Sequence, residues 1–196
     1  HIMGIDDLRI FGFRLHASVP IHCEDIVEKQ IRETFAYAFT DPATHSHQYA
    51  APKLSFSRIA PEQPFQLLGL QVLPLRLRHG TLDILGFRIG NTAFCTDVST
   101  IPAQSRELLK GLDTLVLSVL RREPHPTHLH LDAALKIIRQ LQPRQTFLTH
   151  MSHELDYDEL CSSLPPEIRP AWDGLRIPLT TGIRSEHKST ACQGQQ

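Results

Sequence analysis

The run from Pro74 to Asp97, PLRLRHGTLDILGFRIGNTAFCTD, constrains the fold more tightly than any other part of the chain. Leu73, Leu75 and Leu77 alternate with Pro74, Arg76 and Arg78, the two-residue period of a strand with one buried face. That strand delivers His79. Gly80-Thr81 turns the chain, Ile84 to Ile89 forms a second apolar run, and Gly90-Asn91 is a hairpin signal. Thr92 to Cys95 then leads into Thr96-Asp97. An imidazole and a carboxylate are thus expected at strand ends, where backbone hydrogen bonds hold them in place. Borderline metals need donors positioned in that way, so the run points to a hydrolytic metal site.

The remaining segments supply the layers around these strands. Apolar residues at Ile2, Ile5, Leu8 and Phe11 predict a helix over residues 1–15, and Val19 to His22 a short strand. A second helix is expected from Ile26 to Phe39, with Ile26, Val27, Ile31, Phe35 and Phe39 on one face and Glu24 and Asp25 at its positive end. Lys53 to Ile59 alternates as a strand, Ala103 to Lys110 reads as a helix stopped by Gly111, and Thr114 to Leu120 is a continuous apolar run of the buried-strand kind. Leu131 to Leu141 reads as a helix, Thr146 to Thr149 as a strand ending at His150, Glu154 to Leu164 as a helix, and Leu175 to Pro178 as a last strand. Strands and helices alternate after Asp97, so the predicted class is α/β with both sheet faces covered. His79, Asp97, His128 and His150 fall just after strands or in the following loops, the edge where such folds build their sites. Residues 1–180 read as one domain and 181–196 as a polar tail of disordered composition.

Composition narrows the function classes. With 196 residues and a formal net charge of -1, the chain has no basic field to attract nucleic acid or an anionic membrane. No apolar run approaches the roughly 20 residues of a membrane span. The four cysteines, Cys23, Cys95, Cys161 and Cys192, lack CxxC spacing and read as reduced thiols of a cytoplasmic protein. Histidine, with 12 residues, is the one excess.

Seven segments taken together carry a family resemblance: HIMGIDDLR at the start, RHG at Arg78 to Gly80, LGFRIG at Leu85 to Gly90, FCTDVSTIP at Phe94 to Pro102, PHPTHLHLDAAL at Pro124 to Leu135, LTHMSHELD at Leu148 to Asp156 and DGLRI at Asp173 to Ile177. In this order they resemble the metallo-β-lactamase superfamily. The nearest branch contains the phosphoribosyl 1,2-cyclic phosphate phosphodiesterase of phosphonate breakdown, and ribonuclease Z is a more distant relative. The resemblance implies an αββα sandwich, here without its N-terminal strands. It also implies two divalent ions, zinc or manganese, with iron as a further option, held by an HxHxDH signature, a His, a bridging Asp and a final His.

By that resemblance His1 is the last histidine of the signature, His79 holds the first metal, Asp97 bridges both, and His150 holds the second metal with His1. The first two histidines and the aspartate of the signature are not in the chain as read. The resemblance further implies a metal-bridging hydroxide that attacks phosphorus, with Asp97 fixing the ions and His128 as general acid for the leaving oxygen. The implied function is a metal-dependent phosphodiesterase acting on a small cyclic phosphate or related ester. Alternatives are a non-catalytic remnant of the fold and a hydrolase of a thioester, a lactam or an RNA phosphodiester. A small phosphate ester is the expected partner, with no membrane and no nucleic acid, and a homodimer stays open because missing strands would expose a sheet edge. His125 and His130 are expected merely to flank His128. His153 reads as a partner of the ligands or as a helix cap, His45 and His47 as solvated, and Arg121 and Arg122 as solvated loop charges rather than phosphate ligands.

Overall fold

The computed structural model describes residues 2–41 and 50–179, so His1, His45, His47 and the expected tail over 181–196 lie outside the described residues. The chain forms two compact units, His1–Gln63 and Pro64–Gln196.

In the first unit a 3-10 helix, Met3–Leu8, runs into α1, Arg9–Leu15. The expected single α-helix therefore begins as a tighter coil. The spacing of Ile2, Ile5, Leu8 and Phe11 explains this, because a strict interval of three matches the 3-10 repeat better than the α repeat. β1, Val19–Cys23, pairs in parallel with β2, Leu54–Arg58, and α2 spans Asp25–Thr34. Ile5, Ile31 and Phe35 form a small core with Ile21, Val27, Phe39, Leu54 and Phe56 packed around it. The helix predicted to reach Phe39 stops at Thr34, and a 3-10 turn, Ala36–Phe39, follows it. That turn keeps Phe39 5.9 Å from Phe56, ring to ring, while the Arg32 guanidinium lies over both rings. Ile26, placed on the buried face by sequence, is 68% exposed. Its neighbour Asp25 instead ties the helix start to Arg58 of β2 at 2.7 Å.

The second unit is a seven-stranded sheet in the order β3-β4-β5-β6-β7-β8-β9. β3 is Phe65–Leu67, β4 Leu70–His79, β5 Leu82–Ile89, β6 Thr92–Cys95, β7 Thr114–Ser118, β8 Gln145–Thr149 and β9 Ile168–Pro170. Pairing is antiparallel from β3 to β6 and parallel from β6 to β9. Two antiparallel steps separate β4 from β6, so β4, β6, β7 and β8 all run the same way and end on one rim. Two-residue turns join the hairpins at Gly80-Thr81 and Gly90-Asn91, as the sequence predicts, with Gly80 and Gly90 left-handed.

Every residue of β7 is buried, so both of its faces are covered. α3, Ala103–Leu108, follows the rim loop after β6, and α4, Leu131–Leu141, follows the rim loop after β7. α4 buries Leu131, Ala134, Ile137, Ile138 and Leu141, one helical stripe. α5, Tyr157–Ser163, starts later than the Glu154 expected, because the Asp156 carboxylate accepts from the Glu159 N–H and caps it there.

Two strand expectations change. β3 was invisible to periodicity because it is only three residues long, and the strand expected at Leu175 to Pro178 does not form. Ile168–Pro170 occupies that edge of β8 instead, in register with Thr146 to Leu148, and Gly174 and Pro178 flank a segment without regular structure. In β4 the alternation holds for Leu75 and Leu77 and breaks at Pro74, which is also buried.

Candidate metal centre

The common strand direction carries each candidate side chain to the same rim. His79 is the last residue of β4, Asp97 lies two residues beyond β6, and His150 immediately follows β8. His128 sits on the loop from β7 to α4. That loop is fastened at both ends: Leu120 N–H donates to Leu129 O at 2.9 Å, Leu129 N–H to Val98 O at 2.8 Å, and Leu131 N–H to Arg121 O at 2.9 Å.

Donor atoms of His79, Asp97 and His128 lie within 4.8 Å of one another. His79 Nε2 and His128 Nε2 are 3.2 Å apart, so one ring donates and the other accepts, depending on tautomer. His150 Nε2 is 3.3 Å from Asp97 Oδ1, and the His128 and His150 rings are 4.9 Å apart. The structure thus brings together four of the five residues singled out by sequence, and the fifth, His1, lies outside the described residues.

Two local features mark the cluster as built for a ligand. Asp97 has φ 55° and His150 φ 60°, both in the left-handed region. Asp and His tolerate that region better than most residues, but it still costs on the order of 1–3 kcal/mol, and such strain concentrates at functional positions. In addition, His128 Nδ1 is buried without a hydrogen-bond partner among the described residues. Burial above all, then the His79 and His150 charges, pulls the His128 imidazole below its ordinary pKa, against an opposing pull from Asp97. The ring therefore favours its neutral form, the form that offers a lone pair to a cation.

This donor set fits a divalent cation. Imidazoles with one carboxylate suit zinc, manganese or iron. The side chains of Asp97 and His150 are only 27% and 34% exposed, which shields the cluster without closing it.

Other candidates fall into place around it. His125 is 5.2 Å from His128, ring to ring, and its Nδ1 accepts from Thr127 N–H at 3.3 Å, so it stiffens the loop. His130 caps α4 by position without a side-chain hydrogen bond, and His153 is exposed in a turn. Arg121 donates to the carbonyls of Glu123 and Pro124, and Arg122 pairs with Glu159 at 2.7 Å. Both arginines are solvent-accessible loop charges, as expected, and each also has a partner on the protein.

Sequence reasoning missed the hydroxyls behind the ligands. Ser99 donates to Arg78 O at 3.0 Å and accepts from Gly80 N–H at 2.9 Å. Ser118, fully buried, accepts from Val98 N–H at 3.2 Å; farther back along β4, away from the ligands, Ser105 donates to Arg76 O at 2.6 Å. Serines outside any periodic pattern give no signal of such contacts. Gly80 was read as a turn residue only, yet a Cβ there would meet Thr127 Cγ2 at 2.9 Å, so the turn after His79 packs directly on the loop of His128.

Comparison with known proteins agrees with this geometry. The family described as Beta-lactamase superfamily domain matches residues 1–151. A crystal structure described as a new diphosphatase from the PhnP family is similar at 35% identity and TM-score 0.77, covering 88% of this chain and 64% of that one. The metallo-β-lactamase fold protein YhfI from Bacillus subtilis shares the fold at 17% identity and TM-score 0.68, covering 89% of this chain and 71% of its own. An octanoyltransferase of Porphyromonas gingivalis is 36% identical over 178 residues, 89% of this chain. The chain spans 35% of the length of that curated relative. No helix among the described residues is long and apolar enough to cross a membrane. By the family match over most of its length, and by a rim that gathers His79, Asp97 and His150 at the ends of like-directed strands with His128 beside them, the chain belongs to the metallo-β-lactamase superfamily.

Proposed function

We propose that the protein is a metal-dependent phosphodiesterase that cleaves a small cyclic phosphate or a related phosphate ester. The convergence of His79, Asp97 and His128 within 4.8 Å, with His150 on Asp97, carries this reading. His79, Asp97 and His150 would hold the cations, with Asp97 between the imidazoles on either side. When bound, such cations act as Lewis acids toward phosphoryl oxygens and lower the pKa of water.

The chain's own groups supply the rest. His128 is the proton carrier for the leaving oxygen, and its fastened loop keeps Nε2 at the cluster. Asp97 and His150 are fixed on strand ends, so little reorganisation is needed when charge develops on the substrate. The similar PhnP-family protein is a diphosphatase, which favours a second reading, in which the bond cleaved is a phosphoanhydride.

An assay on a ribose 1,2-cyclic phosphate, a simple phosphodiester, a nucleoside diphosphate and an acyl thioester, with Zn2+ or Mn2+ and after chelation, tests both. Cleavage of the cyclic phosphate that is lost on chelation and restored by metal is the expected result. Turnover of the diphosphate alone selects the second reading, and metal-dependent turnover of the thioester alone overturns both.

A further inference from the structure

We infer that Ser99 is a positioning residue for the metal centre, a hydroxyl that locks the His79 backbone to the Asp97 loop. The inference rests on the metal-centre reading above and deepens it.

Ser99 Oγ accepts from Gly80 N–H at 2.9 Å and donates to Arg78 O at 3.0 Å, so one hydroxyl spans the two peptides that flank His79. The backbone adds to the contact. Ser99 N–H donates to Arg78 O at 2.7 Å, and Arg78 N–H donates to Thr100 O at 3.0 Å. Arg78 O therefore receives both the amide and the hydroxyl of Ser99. Ser99 stands two residues after Asp97, and the intervening Val98 is fully buried with its N–H on Ser118 Oγ. Any rotation of the His79 peptide must drag the Asp97 segment with it.

This coupling matters because the two ligands come from different strands. β4 and β6 are not neighbours in the sheet, since β5 lies between them, so no ladder hydrogen bond sets the distance from His79 to Asp97. An isolated antiparallel bridge between Arg78 and Thr100 ties the two segments on the Arg78 side of His79, and the Ser99 hydroxyl extends that tie to the Gly80 N–H on the other side. Gly80 completes it: with φ 61° and Thr127 against the position of its absent Cβ, the same turn abuts the loop that bears His128. Ser105 is the natural comparison, because its hydroxyl also donates to a β4 carbonyl, that of Arg76, but on a peptide that does not flank a ligand. Outer groups that orient ligands typically change metal affinity by about 10- to 100-fold when removed.

The test is Co2+ titration of the 196-residue chain, read by its visible ligand-field absorption, together with amide exchange at Gly80 and thermal melting. Ser99→Ala is expected to weaken Co2+ binding by about tenfold, with an altered band and faster Gly80 exchange. Ser99→Thr, which keeps the hydroxyl, is expected to recover affinity, and Ser105→Ala to lower the melting temperature without that loss of affinity. Wild-type affinity in Ser99→Ala overturns the proposal, as does an equal loss of affinity in Ser105→Ala. Asp97→Ala separates this from the underlying reading: if it binds Co2+ as the wild type does, the metal centre itself is wrong and the role of Ser99 falls with it.

Discussion

Within the seven-stranded sheet Leu75, Leu77, Ala93, Leu115, Leu117 and Leu148 are fully buried, in a core that also takes in Ile137, Ile138 and Leu160 from α4 and α5. At the carboxyl ends of β4, β6 and β8 the same chain places His79, Asp97 and His150, partly exposed, two of them in left-handed backbone, and backed by hydroxyls. The interior consists of apolar side chains at close packing, where each group supports its neighbours. The rim gathers polar groups in contact, His79 with His128 and His150 with Asp97, on backbone that is left-handed at Asp97 and His150. The contrast teaches that the strain at Asp97 and His150 is carried by the interior beneath it, because the fully buried Cys95 and Leu148 lie two positions before Asp97 and His150. If so, the two regions should respond to substitution in different observables.

The largest effect is expected from the interior. Leu148→Ala should destabilise by about 2–5 kcal/mol through lost burial and the cavity left behind, measured by urea unfolding. A change below about 1 kcal/mol would mean that the interior does not carry the rim. Next, Asp97→Asn should weaken divalent-cation binding by about 100-fold, near 3 kcal/mol, in calorimetry, while leaving the unfolding midpoint close to wild type. A matching loss of stability would erase the distinction between the regions.

Gly80→Ala probes the boundary. The left-handed φ and the 2.9 Å approach of Thr127 should together destabilise by about 1–3 kcal/mol and also shift the His128 ring resonances in NMR. Unchanged His128 resonances would show that the turn and the loop are independent. The smallest effect is expected for Arg122→Ala, whose exposed pair with Glu159 contributes about 0–1 kcal/mol, with cation affinity unchanged. A large loss of affinity there would extend the site to α5.

Much of the second unit is legible in the sequence alone. The alternation of Leu75 and Leu77, the glycine turns at Gly80 and Gly90, and the continuous run of β7 all encode local structure in a two-residue period or its absence. The three-residue strands could not be read that way, because β3 and β9 are too short to show a period and form where a neighbouring edge accepts them. In the first unit the three-residue interval of Ile2, Ile5 and Leu8 is visible in the sequence, and it fits the 3-10 helix that forms there better than an α-helix.

The sequence by itself determined which side chains could meet a cation and that they would stand at strand ends, because residue chemistry and period are local properties. Only the tertiary structure decided that β4, β6 and β8 point the same way, that Asp97 and His150 are held at positive φ, and that Ser99 bridges the peptides around His79. Strand direction, backbone strain and hydroxyl contacts all depend on partners distant in the chain, and a linear pattern contains no distance between strands separated by a third.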